Sequence, residues 1–446
     1  MAFDASQFMS PTDSGYEITN SLRFNDADNA QLVRTQSAGN RRTYSFSVWF
    51  KRGNQGATNN VANKDVFLGG IDNNQMFRIA DNHLQIYDYD GSADYGFITT
   101  AAVRDSSAWY HAMFVVDTTS STAAHRQRIY LNGVELTDRL TDYGNPDQNF
   151  QNLINSAGEH RIGRGVDDNQ EFDGYLAEIN FIDGTAKVPA DFGETGENGN
   201  WIPIAYAGSY GNEGYYLDFK ASGVGTASSS TIGADVSGNT NHWTSAGLVT
   251  TDQLLDSPTN NFPRFNRLRG QGPTMFEGNL LTETSTNAIS RSVDTNFEPP
   301  SGKWYVEVLI KVDGANSGQN ATHVGVANPT FITGNEFKGH SNGVSYCMNG
   351  QKGLNNSVSD YGATYASGDV IGIAYDTDND NITFIKNNAA QPQLTSGFDI
   401  SNGRVVVATN SSSATGQRYG INFGQDSTFA GQKTAGGNSD ANGIGD

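Results

Sequence analysis

The sequence predicts an all-β chain built as two antiparallel β-sandwiches joined by a short linker, on three observations. The first is a repeated pattern. WYHAMFVVDTTSSTAAHRQRIYLNGVEL (Trp109–Leu136) sets two apolar-alternating runs around a polar turn, and GDVIGIAYDTDNDNITFIKNN (Gly368–Asn388) repeats the design a domain's length later. Half-buried strands carry this alternation. The second is composition: 51 Gly, 19 Tyr and 24 Phe beside 36% hydrophobic residues fit many short strands with polar turns, not helical bundles. The third is length. At 446 residues there is room for two or three domains, each able to bury a core without disulfides, and the single Cys347 forms no intrachain bridge.

Taken in order, residues 1–20 read as an N-terminal arm with Phe3, Phe8 and Met9 as apolar anchors, either frayed or docked on another subunit. Strands follow at SLRFND and QLVRT. TYSFSVWFKRG (Thr43–Gly53) alternates, with Tyr44, Phe46, Val48 and Phe50 on one face. Asp65–Ile71, Met76–Asp90 and Tyr95–Val103 continue at the spacing of an all-β sandwich. In the opening hairpin, Met113 and Val115, then Ile129, Leu131 and Val134, form the apolar rows, and Asn132-Gly133 supplies positive φ for the turn. His160–Gly184 gives a short strand, an acidic loop and a long strand with Tyr175, Ile179 and Phe181 on alternate places. Pro189 starts a helical turn in KVPADFGE, and GYYLDFKAS (Gly214–Ser222) is a further strand. PRFNRLRGQGP (Pro263–Pro273), locally basic, reads as a linker whose three Arg residues bridge acidic domains, with 263–300 as linker and lead-in. A second domain spans 301–430, from GKWYVEVLIKV (Gly302–Val312) through HVGVAN, GVSYCMN and the second hairpin to RVVVATN and YGINFGQ; residues 431–446 form a Gly/Asn-rich, flexible tail.

The order SLRFND, TYSFSVWFKRG, WYHAMFVVD, RIYLNGVEL, RIGRG and FDGYLAEINFIDG resembles a laminin-G-like, concanavalin-type jelly roll, and the first domain is placed at 21–262 with an extension. GKWYVEV, the GDVIGIAYD hairpin and NFGQ resemble a SPRY-type β-sandwich. Between them, DVSGNTNHWT followed by DSPTNNF resembles a segment of structural proteins in tailed-bacteriophage virions. That resemblance implies a protein of the virion exterior (tail fibre, head fibre, appendage or capsid decoration), a homo-oligomer with trimeric symmetry, an N-terminal arm bound to other virion proteins, and attachment to a host surface glycan or protein. A purely architectural or capsid-stabilising spacer is the alternative, and a polysaccharide-trimming hydrolase the third reading.

Charge limits the partners. With 28 Lys+Arg against 48 Asp+Glu the net charge is −20, which opposes nucleic acid. The opening MAFDASQFMSPTDSGYEITN has no basic n-region or signal-length apolar run, and no stretch is apolar for a membrane span's length, so a soluble protein without membrane insertion is expected.

No enzyme is expected, and no catalytic, cofactor-binding or metal-binding residue is assigned. A retaining glycosidase needs two carboxylates facing one bond. Glu178 and Asp183 are an odd number of places apart, which puts them on opposite faces of a regular strand, while Glu307 stands alone and Glu135 borders a turn. DTDNDN (Asp376–Asn381) alternates oxygen ligands like the start of a calcium loop but lacks its Gly and late Glu, so it reads as a turn. A structural calcium near Asp167, Asp168 and Asp173 is implied by the laminin-G resemblance without assigned ligands. His111 and His323 read as packing residues, and no His/Cys cluster exists. Tyr87, Tyr89 and Tyr95 are candidates for stacking on sugar rings, with core packing preferred because Tyr87 and Tyr89 share a face; Trp201–Tyr216 carries the same ambiguity.

Overall fold

A computed structural model describes residues 15–53, 64–72, 74–166, 170–267, 269, 274–283, 291–312, 322–331, 337, 339–409 and 417–437. Helical structure among them is confined to short 3₁₀ turns, such as Pro189–Asp191, where Pro occupies the first position. The chain divides into two compact β units between Asn261 and Phe262.

In the first unit two antiparallel sheets face each other. One runs Val134–Glu135, Gln127–Leu131, Tyr110–Asp117, Thr43–Arg52, Gly174–Asp183, Ser21–Phe24, Gln253–Leu254, with Tyr215–Leu217 also paired to Gly174–Asp183. The other runs Arg139–Gly144, Asp94–Ala102, His83–Tyr89, Gln75–Ala80, Lys64–Gly69, Gly158–Ile162, Gln31–Gln36, Thr244–Ala246. Tyr44, Phe46, Val48 and Phe50 enter the core between them, as their alternation requires. Phe77 of one sheet and Phe114 of the other stack at 4.7 Å between ring centroids.

The first sheet is buried on both faces, and this alters two expectations. In the opening hairpin the inter-sheet core takes Ala112, Phe114, Val116 and Ile129. Met113 and Val115 point the other way, onto Ile182 and Phe192. Alternation cannot tell the faces of a strand that is apolar on both. Val134 is 65% exposed at the sheet edge. The second change is a β-bulge: Ala177 pairs with Trp49 but Asn180 with Ser47, so one residue is inserted. Glu178 sits in it at φ +51°. The phase therefore slips, and Tyr175 lies opposite Lys51 on the outer face while Ile179 and Phe181 face the core. Met76–Asp90 is likewise two strands, broken by a turn at Asp81 and Asn82.

The end of the expected N-terminal arm is built into this unit. Ile18 is buried with Trp49 and Ala177, and its N–H donates to Thr259 Oγ1 at 2.9 Å. Residues 1–14, on which a particle anchor would rest, lie outside the described residues.

The DVSGNTNHWT segment is a polar knot. Asp235 accepts from the N–H groups of Tyr216, Ser237 and Asn241. Asn239 and Asn241 both donate to Gly214 O, and Trp243 is fully buried. In DSPTNNF, Asp256 meets the buried ammonium of Lys51 at 2.8 Å and accepts from Trp109 Nε1 at 3.0 Å.

The second unit has one sheet running Thr274–Phe276, Leu281–Glu283, Arg418–Asn422, Lys303–Val312, Val370–Asp376, Asn381–Lys386, Ala389–Ala390. The other runs Arg291–Asp294, Arg404–Thr409, Thr322–Ala327, Gly343–Cys347, Gln351–Leu354, Ser357–Asp360. Residues 263–300 are therefore not a linker, because they supply strands to both sheets. Arg264 is buried and donates to Gly278 O, and Arg269 pairs with Glu298 at 2.8 Å, so both are used inside this unit. Of the expected tail, Lys433 is still hydrogen-bonded to Thr428 O, and residues 438–446 lie outside the described residues.

Candidate functional site

The outer face of the second sheet in the first unit gathers polar and aromatic side chains that neither core uses. Its register is set locally. Asp81 and Asn82 both take positive φ (48° and 71°), a two-residue turn whose twist suits a hairpin. Arg78 therefore lies opposite Gln85, and Met76 opposite Tyr87. Phe77, Ile79, Leu84 and Ile86 point into the core, and period two sends Met76, Arg78, Gln85 and Tyr87 to the opposite face. Across the sheet, Tyr87 is followed in its row by Gly96 and then Gly144. Gly144 has open space where a side chain would stand, whereas a Cβ on Gly96 would meet Ile86 O at 2.2 Å.

Tyr87 is thus not a core residue. Its ring lies under the Arg78 guanidinium, 4.7 Å from Cζ to centroid, and meets the Tyr143 ring edge-on at 6.3 Å. Its hydroxyl donates to Asp94 Oδ1 at 2.9 Å. Burial and that bond push the phenol up to about 12. Arg78 Nε donates to Gln85 Oε1 at 2.8 Å and Nη1 to Gln170 Oε1 at 3.1 Å. Tyr143 is 36% exposed. A rigid aromatic pair flanked by a guanidinium, two amides and a carboxylate offers what sugars bind: an apolar ring face and fixed planar hydrogen-bonding groups.

Of the other flagged tyrosines, Tyr89 is half-buried at the strand end. Tyr95 packs on Phe150 and bonds the Asp90 turn, away from this cluster. Arg78, Gln85, Tyr143 and Gln170 were not singled out by the sequence. For Arg78 and Gln85 the signal was present, since a turn at Asp81-Asn82 fixes their register with Tyr87. Nothing local brings Tyr143 or Gln170 to the same place.

Glu178, the nearer of the two carboxylates considered for hydrolysis, lies in a separate cluster on the outer face of the first sheet. Tyr16 donates to its Oε1 at 2.5 Å and Tyr216 to its Oε2 at 2.9 Å. Burial pushes it up to about 7, the hydroxyls drawing it partly back. A ladder of rings continues from Tyr216 through Tyr210 and Tyr206 to Phe192, which is how much of Trp201–Tyr216 is spent. Asp183 accepts from Asn40 N, Asn155 Nδ2 and Glu213 N at the end of the strand. The two acids are held in different networks, although the bulge, not regular alternation, sets where Glu178 points. Glu307 accepts from Tyr305 at 2.9 Å, and Glu135 is exposed on its edge strand.

Asp376 Oδ1 accepts from the N–H groups of Asp378 and Asn379, and Asp380 Oδ1 from that of Ile400, so the acids of DTDNDN brace the turn and its neighbour. Asp173 is buried; Asp167 and Asp168 lie outside the described residues. His111 is buried, accepts at Nδ1 from Trp201 Nε1 (3.1 Å) and contacts Ser47 Oγ through Nε2 (2.8 Å). An indole N–H only donates, so the proton of this imidazole is on Nε2. Burial pulls it down to about 3, and it stays neutral. His323 is buried on the Thr322–Ala327 strand.

Comparison with known proteins gives the two folds in order. Residues 24–189 match the family described as the concanavalin A-like lectin/glucanases superfamily, and residues 303–426 match the SPRY domain. No curated protein matches the chain. Among solved structures, the SPRY domain of human HERC1 is 18% identical, with 35% of this chain and 96% of that one covered at a TM-score of 0.32. A putative carbohydrate-binding protein from Bacteroides ovatus is 16% identical over 52% of this chain and 58% of its own, at a TM-score of 0.35. A heptameric SAP-like pentraxin from Limulus polyphemus is 14% identical over 39% and 80%, at a TM-score of 0.28.

Proposed function

We propose that this chain is a non-enzymatic glycan-binding protein on the exterior of a tailed-phage particle, contributing to attachment at the host surface. The observation that carries the binding reading is the outward-facing cluster of Tyr87, Tyr143, Arg78 and Asp94 on the second sheet of a concanavalin-like unit. The virion setting is supported by the DVSGNTNHWT and DSPTNNF segments, whose polar side chains are hydrogen-bonded into the unit. A homotrimer anchored through the N-terminal arm, residues 1–20, completes the reading, and many weak sites on one particle would act together through avidity.

The purified chain applied to an array of bacterial surface polysaccharides should bind a subset of them. Tyr143→Ala, which removes an exposed ring at the centre of the contact, should weaken that binding by about tenfold. Release of reducing sugar from the bound glycans would return the hydrolase reading. Antibody against the chain, viewed on intact particles by electron microscopy, should label tail or fibres. Label over the head would give a decoration role, and unlabelled particles would end the exterior reading.

A further inference from the structure

Resting on the glycan-binding reading, we propose that this site selects sugars carrying a carboxylate, such as uronates or sialates, with Arg78 as the group that recognises the acid. The reason lies in how Arg78 is held. It is only 3% exposed, yet among the described residues no carboxylate lies within ion-pair distance of it. Its neighbours are neutral acceptors (Gln85, Gln170 and Met76 Sδ) and the ring of Tyr87. Other buried cations of this unit are treated differently: Arg23 meets Asp252, Lys51 meets Asp256 and Arg52 meets Asp65. In a chain of net charge −20 an acid could readily have been placed beside Arg78.

Burying a cation without a counter-charge is costly, and here burial pulls the guanidinium down to about 10. Neutral hydrogen bonds offset part of that cost and fix the fork: Nε and Nη1 are engaged, while Nη2 has no hydrogen-bond partner among the described residues and is not among the sealed polar atoms, so it reaches solvent. A planar cation with one nitrogen open and the others clamped is preorganised for a carboxylate oxygen. The Tyr87 ring, the open space at Gly144 and the exposed Tyr143 ring provide the neighbouring surface for the sugar body. Among the described residues, the carboxylate bonded into the cluster is Asp94, which accepts from the Tyr87 hydroxyl and makes no ion pair with Arg78. The overall negative field opposes an acidic glycan at long range, but at physiological salt it is screened beyond about 8 Å.

The test uses the full-length chain and pairs of oligosaccharides that differ only at the acid: uronate- and sialate-containing glycans, each beside its carboxyl-reduced, neutral counterpart. The wild-type chain should prefer the acidic member by about tenfold or more, the range of a charge-assisted hydrogen bond. That preference should shrink as salt is raised from about 0.05 M to about 0.5 M. Arg78→Gln should bring the ratio to near unity, whereas Lys220→Gln, the same charge change at an exposed position outside the site, should leave it intact. Should Arg78→Gln fail to fold, the wild-type ratio and its salt dependence still decide. Equal binding of both members, or a preference that survives Arg78→Gln, overturns the acid-recognition role while the glycan reading stands. Binding of neither member to any degree overturns both.

Discussion

Glu178 shows how a single residue departs from its strand. Its left-handed backbone, its place in the bulge and two tyrosine hydroxyls on its carboxylate belong together: the inserted residue turns the side chain toward Tyr16 and Tyr216. With its carboxyl raised from 4.5 to about 7, the folded chain keeps a proton that the unfolded chain loses. The sign follows from linkage. The group adds no destabilisation below the unfolded value, and stability falls as pH rises from 4.5 through about 7. The loss by pH 8 is on the order of 3 kcal/mol. Glu178→Gln keeps an acceptor for the tyrosines and removes the titration, so denaturant unfolding of the variant should lose that part of the slope and be the more stable at pH 8. Asp88, also pushed to about 7 by burial, will leave a residual slope in both proteins. Identical pH profiles would show that Glu178 is ionised in the folded chain. This environment is not legible in the sequence, because Tyr16, Glu178 and Tyr216 are far apart in the chain and the bulge that joins them has no Gly to announce it.

At the scale of elements, the strands are legible wherever one face is apolar and the other polar, and ambiguous where both are apolar. Thr43–Arg52 was read correctly from Tyr44, Phe46, Val48 and Phe50 because Ser45, Ser47 and Lys51 alternate with them. In Tyr110–Asp117 the inner row is Phe114 and Val116, which alternation alone does not pick out because Met113 and Val115 are as apolar. The Asn132-Gly133 turn was legible, and Gly133 has a second reason to be there: a Cβ would sit 2.4 Å from the Trp201 ring. The stretch 263–300 was misread because basic residues flanked by Gly and Pro look like a linker, while Arg264 is in fact buried. The DSPTNNF segment carries an ion pair, Lys51–Asp256, sealed on both sides at 0% and 1% exposure. Breaking one partner strands the other charge, so Asp256→Ala should cost about 3–5 kcal/mol in equilibrium unfolding. Lys51→Met with Asp256→Leu should recover most of that loss, since an apolar pair of similar volume needs no counter-charge. If Asp256→Ala is neutral, the segment is fastened by Asn261, which accepts from Lys51 Nζ at 2.7 Å and donates to Ser107 O at 3.1 Å, rather than by the pair.

For the whole molecule, the two sandwiches were visible in order because each carries its own hairpin and its own strand pattern, whereas the binding face was not. A sequence shows which side chains alternate, but not which of them stay in reach of solvent on an outer face. In the first unit the outer face of the first sheet is closed by residues such as Ile18, Phe192 and Tyr206, and the opposite sheet keeps Tyr87 and Tyr143 in reach of solvent. Each unit has its own paired sheets and buried aromatic core, and the division falls between Asn261 and Phe262. Chains of 1–261 and 262–446 made separately should therefore each unfold cooperatively, at midpoints close to those seen for the two transitions of the full chain. Cutting instead at 300, where the basic stretch and its lead-in end, should leave the second fragment without Thr274–Phe276, Leu281–Glu283 and Arg291–Asp294 and hence with an open edge on each sheet. That fragment should aggregate or melt well below the 262–446 chain in calorimetry. Glycan binding should follow the 1–261 fragment alone, with Tyr143→Ala acting there as it does in the full chain. Binding that appears only in the 262–446 fragment would move the attachment role to the SPRY sandwich and leave the Tyr87 face as a packing surface.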